Sequence, residues 1–184
     1  MIVNMKTKEL LDNDWKRLVR FSGTEIRSCR WYNYFSFRFA PVALIRFAYH
    51  LYSNGYIKLS KLTSGVNFLI FKIEVPSSLK IGPGLVIPHP QGTVLGAREI
   101  GANVTIFHQV TLGATEADFV FVPSKRPKVC DGVTLGVGSK ILGSVTLGEN
   151  CTIGANAVVL NDVPVDATVA GVPAKVVSIH RKNR

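Results

Sequence analysis

The chain has 184 residues, enough for one domain-sized core and too few for a multidomain assembly. Its 47% hydrophobic and 18% charged residues exclude a disordered chain. The net charge of +10 raises nucleic acid or an anionic membrane surface as partners, and where the charge sits decides between them.

Twelve basic and four acidic residues precede Glu74, against ten and eight from it onward, so the two parts carry +8 and +2. Fourteen of the seventeen aromatics also precede it, while thirteen of the sixteen glycines follow. Two kinds of structure therefore meet there: a basic, aromatic, mainly helical segment over 1–73 and a glycine-rich domain over 74–177, followed by a basic tail, 178–184. In the first, Pro41 suits the opening turn of a helix over 41–52, with Leu44, Phe47, Ala48 and Leu51 at helical spacing. A second helix is expected after Gly55, through Ile57 and Leu62 to Phe71. Arg20, Arg27, Arg30, Arg38 and Arg46 interleave with Trp31, Tyr32, Phe35, Phe37 and Phe39. That pattern fits either a face for the headgroup region of an anionic membrane or a cap on the open coil of a solenoid. Nucleic acid is not expected, since no recognition motif accompanies the charge. Arg46 interrupts the best apolar stretch, so none reaches the ~18 residues of a spanning helix, and Met1 to Glu9 has no signal-peptide core. Cys29, Cys130 and Cys151 show neither disulfide-framework nor metal-ligand spacing. The expected location is cytoplasmic, with peripheral contact at the inner face of the membrane as an option.

An internal repeat governs the second part. Val94, Ile100, Ile106 and Leu112 recur at one period, and after a gap Val129, Leu135, Ile141, Leu147, Ile153 and Val159 do so again. Glycine follows the aliphatic residue at Gly101, Gly113, Gly136, Gly148 and Gly154. A six-residue period is neither helical nor a simple alternation; it predicts a short strand and a corner, with glycine serving the corners. Three such units make a coil whose aliphatic side chains stack inside, with neighbouring coils paired at about 4.8 Å. The expected fold is an all-β solenoid, a parallel β-helix of hexapeptide repeats with a short α-helical N-terminal segment. Its interior is filled, so function must lie on its faces, in loops that leave it, or between copies. Two places break the period: a one-residue register shift between Ile87 and Val94, around Pro88, His89 and Pro90, and an excursion over 114–128 carrying Phe119, Phe121 and a basic cluster.

The segments IPHPQGTVLG, NVTIFHQVTLGA, GVTLGVGSKILGSVTLGENCTIGANAVVLNDVP and AGVPAKVV resemble the acyltransferases of the hexapeptide-repeat superfamily, and within it the serine O-acetyltransferase branch. The resemblance covers Glu74 to Val177. It alone implies a left-handed β-helix, because ordinary crossovers favour the right-handed form.

His89 and His108 each stand two residues after an aliphatic residue, Ile87 and Ile106, and are nineteen apart. One coil plus the register shift places them on one face of adjacent coils, about 5 Å apart. Such a pair suits general-base chemistry, in which a neutral imidazole takes the proton of an acceptor hydroxyl as its oxygen attacks a thioester. The resemblance makes His89 the base and Glu74 the carboxylate that orients it, with His108 as a second catalytic or acceptor-binding group. It implies acetyl-CoA as donor, no metal, and a homotrimer whose coenzyme arm runs between subunits. A main-chain N–H of Gly113 or Ala114 would meet the thioester oxygen. Val137, Thr152 and Ala155 match further coenzyme contacts, and Lys140, Lys175 and Arg181 are candidates for the nucleotide phosphates. Two departures bear on the acceptor side: Pro88 replaces an aspartate that helps hold the amino acid in serine enzymes, and Arg126 replaces a second histidine. Together with the short N-terminus, they make the likeness to polysaccharide-locus acetyltransferases, typified by the colanic acid enzyme, the closer one. The expected activity is O-acetylation of a saccharide hydroxyl in capsule or exopolysaccharide synthesis. Serine O-acetylation is the runner-up, and a non-catalytic binding or assembly module is the third reading.

Overall fold

Aliphatic residues spaced by one strand and one corner can all be buried only if the chain turns back on itself at every corner, and the computed structural model shows how it does so. It describes residues 5–25, 28–116 and 120–180, so Arg27, Phe119 and Arg181 lie outside the described residues. Among the described residues, thirteen short strands are dealt in rotation to three sheets. The first sheet holds β1 (Ile73–Glu74), β3 (Thr93–Leu95), β6 (Thr111–Gly113), β9 (Lys140–Leu142) and β12 (Val158–Val159). The second holds β2 (Lys80–Ile81), β4 (Glu99–Ile100), β7 (Lys128–Val129) and β10 (Thr146–Leu147). The third holds β5 (Thr105–Ile106), β8 (Thr134–Leu135), β11 (Thr152–Ile153) and β13 (Ala167–Ala170). A last strand, β14 (Lys175–Ile179), returns antiparallel on β13. All the other pairings are parallel, and the register sets like on like: Ile106 beside Leu135, Leu135 beside Ile153, Ile153 beside Val169. These side chains, with Ile100, Leu112, Ile141 and Leu147, are wholly or almost wholly shut off from solvent.

Three details differ from the sequence expectation. Val94 is half-exposed and Leu95 is the inward residue, because Leu95 pairs with Leu112. The corner after Ile87 therefore holds two extra residues, and the next one, before Ile100, is short by one. Glycine does serve some corners, with left-handed backbone at Gly84, Gly132 and Gly138, but the glycines that directly follow the aliphatic residues do not; Asn103, Gln109, Asn150 and Asn156 supply it at other corners, with φ of 56–59°. The glycines directly after aliphatic residues instead let successive coils touch. A Cβ on Gly136 would lie 2.6 Å from the carbonyl oxygen of Ile153 and 2.8 Å from the amide nitrogen of Ala155, both backbone atoms that cannot step aside. Gly136→Ala is expected to destabilise the fold by about 1–3 kcal/mol in urea unfolding; an unchanged midpoint would contradict this contact.

Three helices cover the first coil: α1 (Thr7–Phe21), α2 (Ala40–Ser53) and α3 (Ile57–Phe71). The sequence reading missed α1 and misplaced the buried face of α2, which is Val42, Ile45, Arg46 and Ala48, whereas Phe47 is exposed. Arg46, one of the arginines expected to serve either a membrane face or a cap, is the centre of the cap. It pairs with Asp14 of α1 at 2.8 Å, with both side chains buried. Its remaining N–H groups donate to the carbonyls of Ile81 and Gly82, and the other Asp14 oxygen accepts from the Leu85 amide at 2.8 Å. Arg17 adds hydrogen bonds to Gly84 O and Val104 O. Leu11, Leu18 and Phe39 complete the seal by joining the apolar core of the coils. The open edge of a solenoid is thus covered by side chains chosen to satisfy its free backbone groups.

Candidate active site

The corner between the third and first sheets carries, two residues after each inward aliphatic residue, His89, His108, Val137 and Ala155. Backbone hydrogen bonds knit this edge together: Gln109 N to Gln91 O, Gly138 N to His108 O and Asn156 N to Val137 O. His89 is exposed at the enlarged corner between buried Pro88 and Pro90, while His108 is half-buried. Their rings meet edge to face, with centroids 5.7 Å apart and planes at 89°. Nδ1 of His108 is buried and meets no hydrogen-bond partner among the described residues. Phe21 of α1 packs against Phe107 beside it, so the helical cap also borders the histidine edge.

Glu74 is exposed on β1, and the strand is seated against the same corner by the hydrogen bond from Gly92 N to Lys72 O at 3.0 Å. No hydrogen bond joins Glu74 to His89 among the described residues, so the orienting pair is not formed in this structure. Lys140 projects from the outer face of the first sheet, but its ammonium is committed to Gln109 O at 2.6 Å and Gly138 O at 3.0 Å. It braces the histidine edge, a role that its place in the sequence did not signal. Lys175 is exposed on β14, and Thr152 stands in a row with Thr134, Thr105 and Thr168 on the outer face of the third sheet.

The other named residues lie across the first sheet, at its corner with the second. Gly113 ends β6, Ala114 follows it, and Arg126 returns from the excursion to donate to Gly96 O at 3.3 Å with its guanidinium over Phe121 at 4.7 Å. A Cβ at Gly113 would meet nothing nearer than a Leu142 methyl at 4.0 Å, so this edge is open outward. His108 and Gly113 are five residues apart, with the left-handed Gln109 corner and the length of β6 between them. The candidate residues of one chain therefore fall at opposite margins of the first sheet: His89 and His108 at one, and Gly113, Ala114 and Arg126 at the other.

Burial pushes the Cys151 thiol up to about 12 and it sits in the core, and burial also raises Cys130. Among the described residues, no group of three or more His, Cys, Asp or Glu is placed to hold a metal ion.

Residues 126–161 match the bacterial transferase hexapeptide (six repeats) family. The serine acetyltransferase of Helicobacter pylori strain J99 is 34% identical over 170 residues, which are 92% of this chain and 89% of that protein. The chain belongs to the serine acetyltransferase family. Another member, from Bacillus subtilis strain 168, is 41% identical over 133 residues, 72% of this chain and 60% of that one. Among solved structures, a serine acetyltransferase in complex with CoA superposes with a TM-score of 0.80 at 31% identity, covering 95% of this chain and 71% of that chain. The serine acetyltransferase of Neisseria gonorrhoeae gives 0.82 at 29%, covering 98% and 70%. This serine acetyltransferase family member is an acyltransferase. The expected closer likeness to polysaccharide-locus enzymes is not supported by these relatives, which favour the runner-up reading. No described helix is long and apolar enough to cross a membrane.

Proposed function

We propose that the chain is an acetyl-CoA-dependent O-acetyltransferase whose acceptor is the hydroxyl of serine, working as a homotrimer of left-handed β-helices with its site between copies. The observation that carries this reading is the His89–His108 pair set across the first sheet from the open Gly113 edge. A heterologous contact between copies brings one copy's imidazoles to the other's main-chain donors. His89 takes the proton of the acceptor hydroxyl while that oxygen bonds to the thioester carbonyl carbon. The charge that forms on the carbonyl oxygen is held by the N–H of Gly113 or Ala114, which is where such donors contribute most. The carbon–sulfur bond then breaks, and the imidazolium returns its proton to the leaving thiolate. Glu74 would orient His89 once the acceptor excludes water from the corner, and Val137, Ala155 and Thr152 offer backbone to the coenzyme arm. Arg126 is the cation suited to the acceptor's carboxylate.

Pro88 favours a second reading. It is buried and apolar where serine enzymes carry an aspartate, which leaves the amino group of serine without that partner and suits a saccharide hydroxyl. Release of coenzyme thiol, measured with serine, with neutral sugars and with no acceptor, separates the two. Serine-dependent release is the expected result; release with a sugar alone would transfer the assignment to saccharides. His108→Ala is expected to lower turnover less than His89→Ala does, because His108 is half-buried and only its neighbour is free to meet an acceptor. The reverse order in the same assay would make His108 the base.

A further inference from the structure

The third helix is inverted relative to the usual placement of its residues. Ser60 and Asn67 face the protein, where they are buried, and Asn67 Nδ2 donates to Pro41 O at 3.0 Å. Leu59, Leu62, Val66, Leu69 and Ile70 face outward, with Leu62 63% and Leu69 67% exposed. On a helix these five form one stripe roughly 100° wide. Lys58 and Lys61 run along one margin of it, and Lys72 stands at its C-terminal end, its ammonium 6.0 Å from the Phe68 ring. The stripe continues into an apolar groove of about 660 Å³, lined in part by Phe35, Phe47, Val66 and Ile70. At the groove, Phe35 and its ring neighbour Trp31 are 78% and 75% exposed.

We propose that this face docks the protein on an anionic lipid surface. An apolar stripe with a lysine margin and a low-lying aromatic cluster is the form of a helix that lies in the headgroup plane. Charge selects this occupant over a second copy of the chain. Lys58, Lys61 and Lys72 border this face, so two such faces apposed would set lysine against lysine, whereas anionic headgroups complement them. The inward side of the same helices is already taken by the cap, so docking leaves the seal over the first coil intact. The proposal is independent of which acceptor is acetylated.

Sedimentation with vesicles of phosphatidylcholine containing about one-third phosphatidylglycerol, against vesicles of phosphatidylcholine alone, tests it. Binding to the anionic vesicles only is expected, falling at least about tenfold between ~0.05 and ~0.5 M salt as the Debye length shortens. Leu62→Ser with Leu69→Ser, both on the solvent side and so harmless to folding, should abolish it. Lys58→Gln with Lys61→Gln should weaken it roughly 25-fold, about fivefold per lysine. Absence of binding, equal binding to neutral vesicles, or indifference to the serine pair overturns the proposal. So does a serine pair that lowers the mass of the free protein while vesicle binding persists, since the face would then join copies of the chain.

Discussion

Replacing His89 by alanine is expected to lower kcat by ~10²–10⁴-fold with coenzyme affinity little changed, the usual signature of a lost general base. His89 is the exposed imidazole at the enlarged corner, between two buried prolines and edge to face with the His108 ring, and no hydrogen bond ties it to another group among the described residues. The coenzyme contacts proposed for Val137, Ala155 and Gly113 use backbone groups, which the substitution leaves in place. Steady-state kinetics with saturating acetyl-CoA reads the first part, and a coenzyme titration reads the second. A variant that keeps its turnover, or one whose loss is entirely in coenzyme affinity, would contradict the assignment.

Removing one partner of the Asp14–Arg46 pair is expected to cost about 3–5 kcal/mol of stability. Asp14→Ala leaves a guanidinium buried between α1, α2 and the first coil with two carbonyls and no counter-charge, and it also strips the Leu85 amide of its acceptor. Arg46→Lys should be no rescue, because an ammonium cannot span Asp14, Ile81 O and Gly82 O as the planar guanidinium does. The double replacement Asp14→Ala with Arg46→Ala should cost less than the sum of the singles, as coupled residues do. Urea unfolding of the wild type, Asp14→Ala, Arg46→Ala, Arg46→Lys and the double variant checks this; a single-variant loss below about 1 kcal/mol would show the cap to be held by its apolar contacts alone.

The coil was legible in the sequence because one side chain in six must be apolar to fill it, and no other fold imposes that period. The two histidines could be paired from spacing alone, since their offset equals that of the buried Ile87 and Ile106 beneath them. What could not be read was anything that depends on two remote parts meeting. Val94 and Leu95 are both aliphatic, and only the pairing with Leu112 decides which turns inward. Asp12, Asn13 and Asp14 give the middle of α1 the composition of a surface loop, although Leu11, Trp15 and Leu18 stand at helical spacing and were the available signal. Asp14 is tolerable inside because its partner comes from a helix 32 residues away. The candidate site carried over from the family was a set of positions; it splits into two edges only once each strand is assigned to its sheet.

That split is the most exposed part of the account, and mixing two inactive proteins tests it directly. His89→Ala removes the base from one edge. Gly113→Trp fills the opposite edge, where the added side chain has room to fold outward and would occupy the coenzyme's place. Unfolded and refolded together, the two variants should regain about a quarter of the wild-type thiol-release rate, since about one junction in four then unites an intact imidazole edge with an intact main-chain edge from different copies. A mixture as inactive as either variant alone would show that both halves of the site act within a single copy, and the proposed arrangement would be wrong.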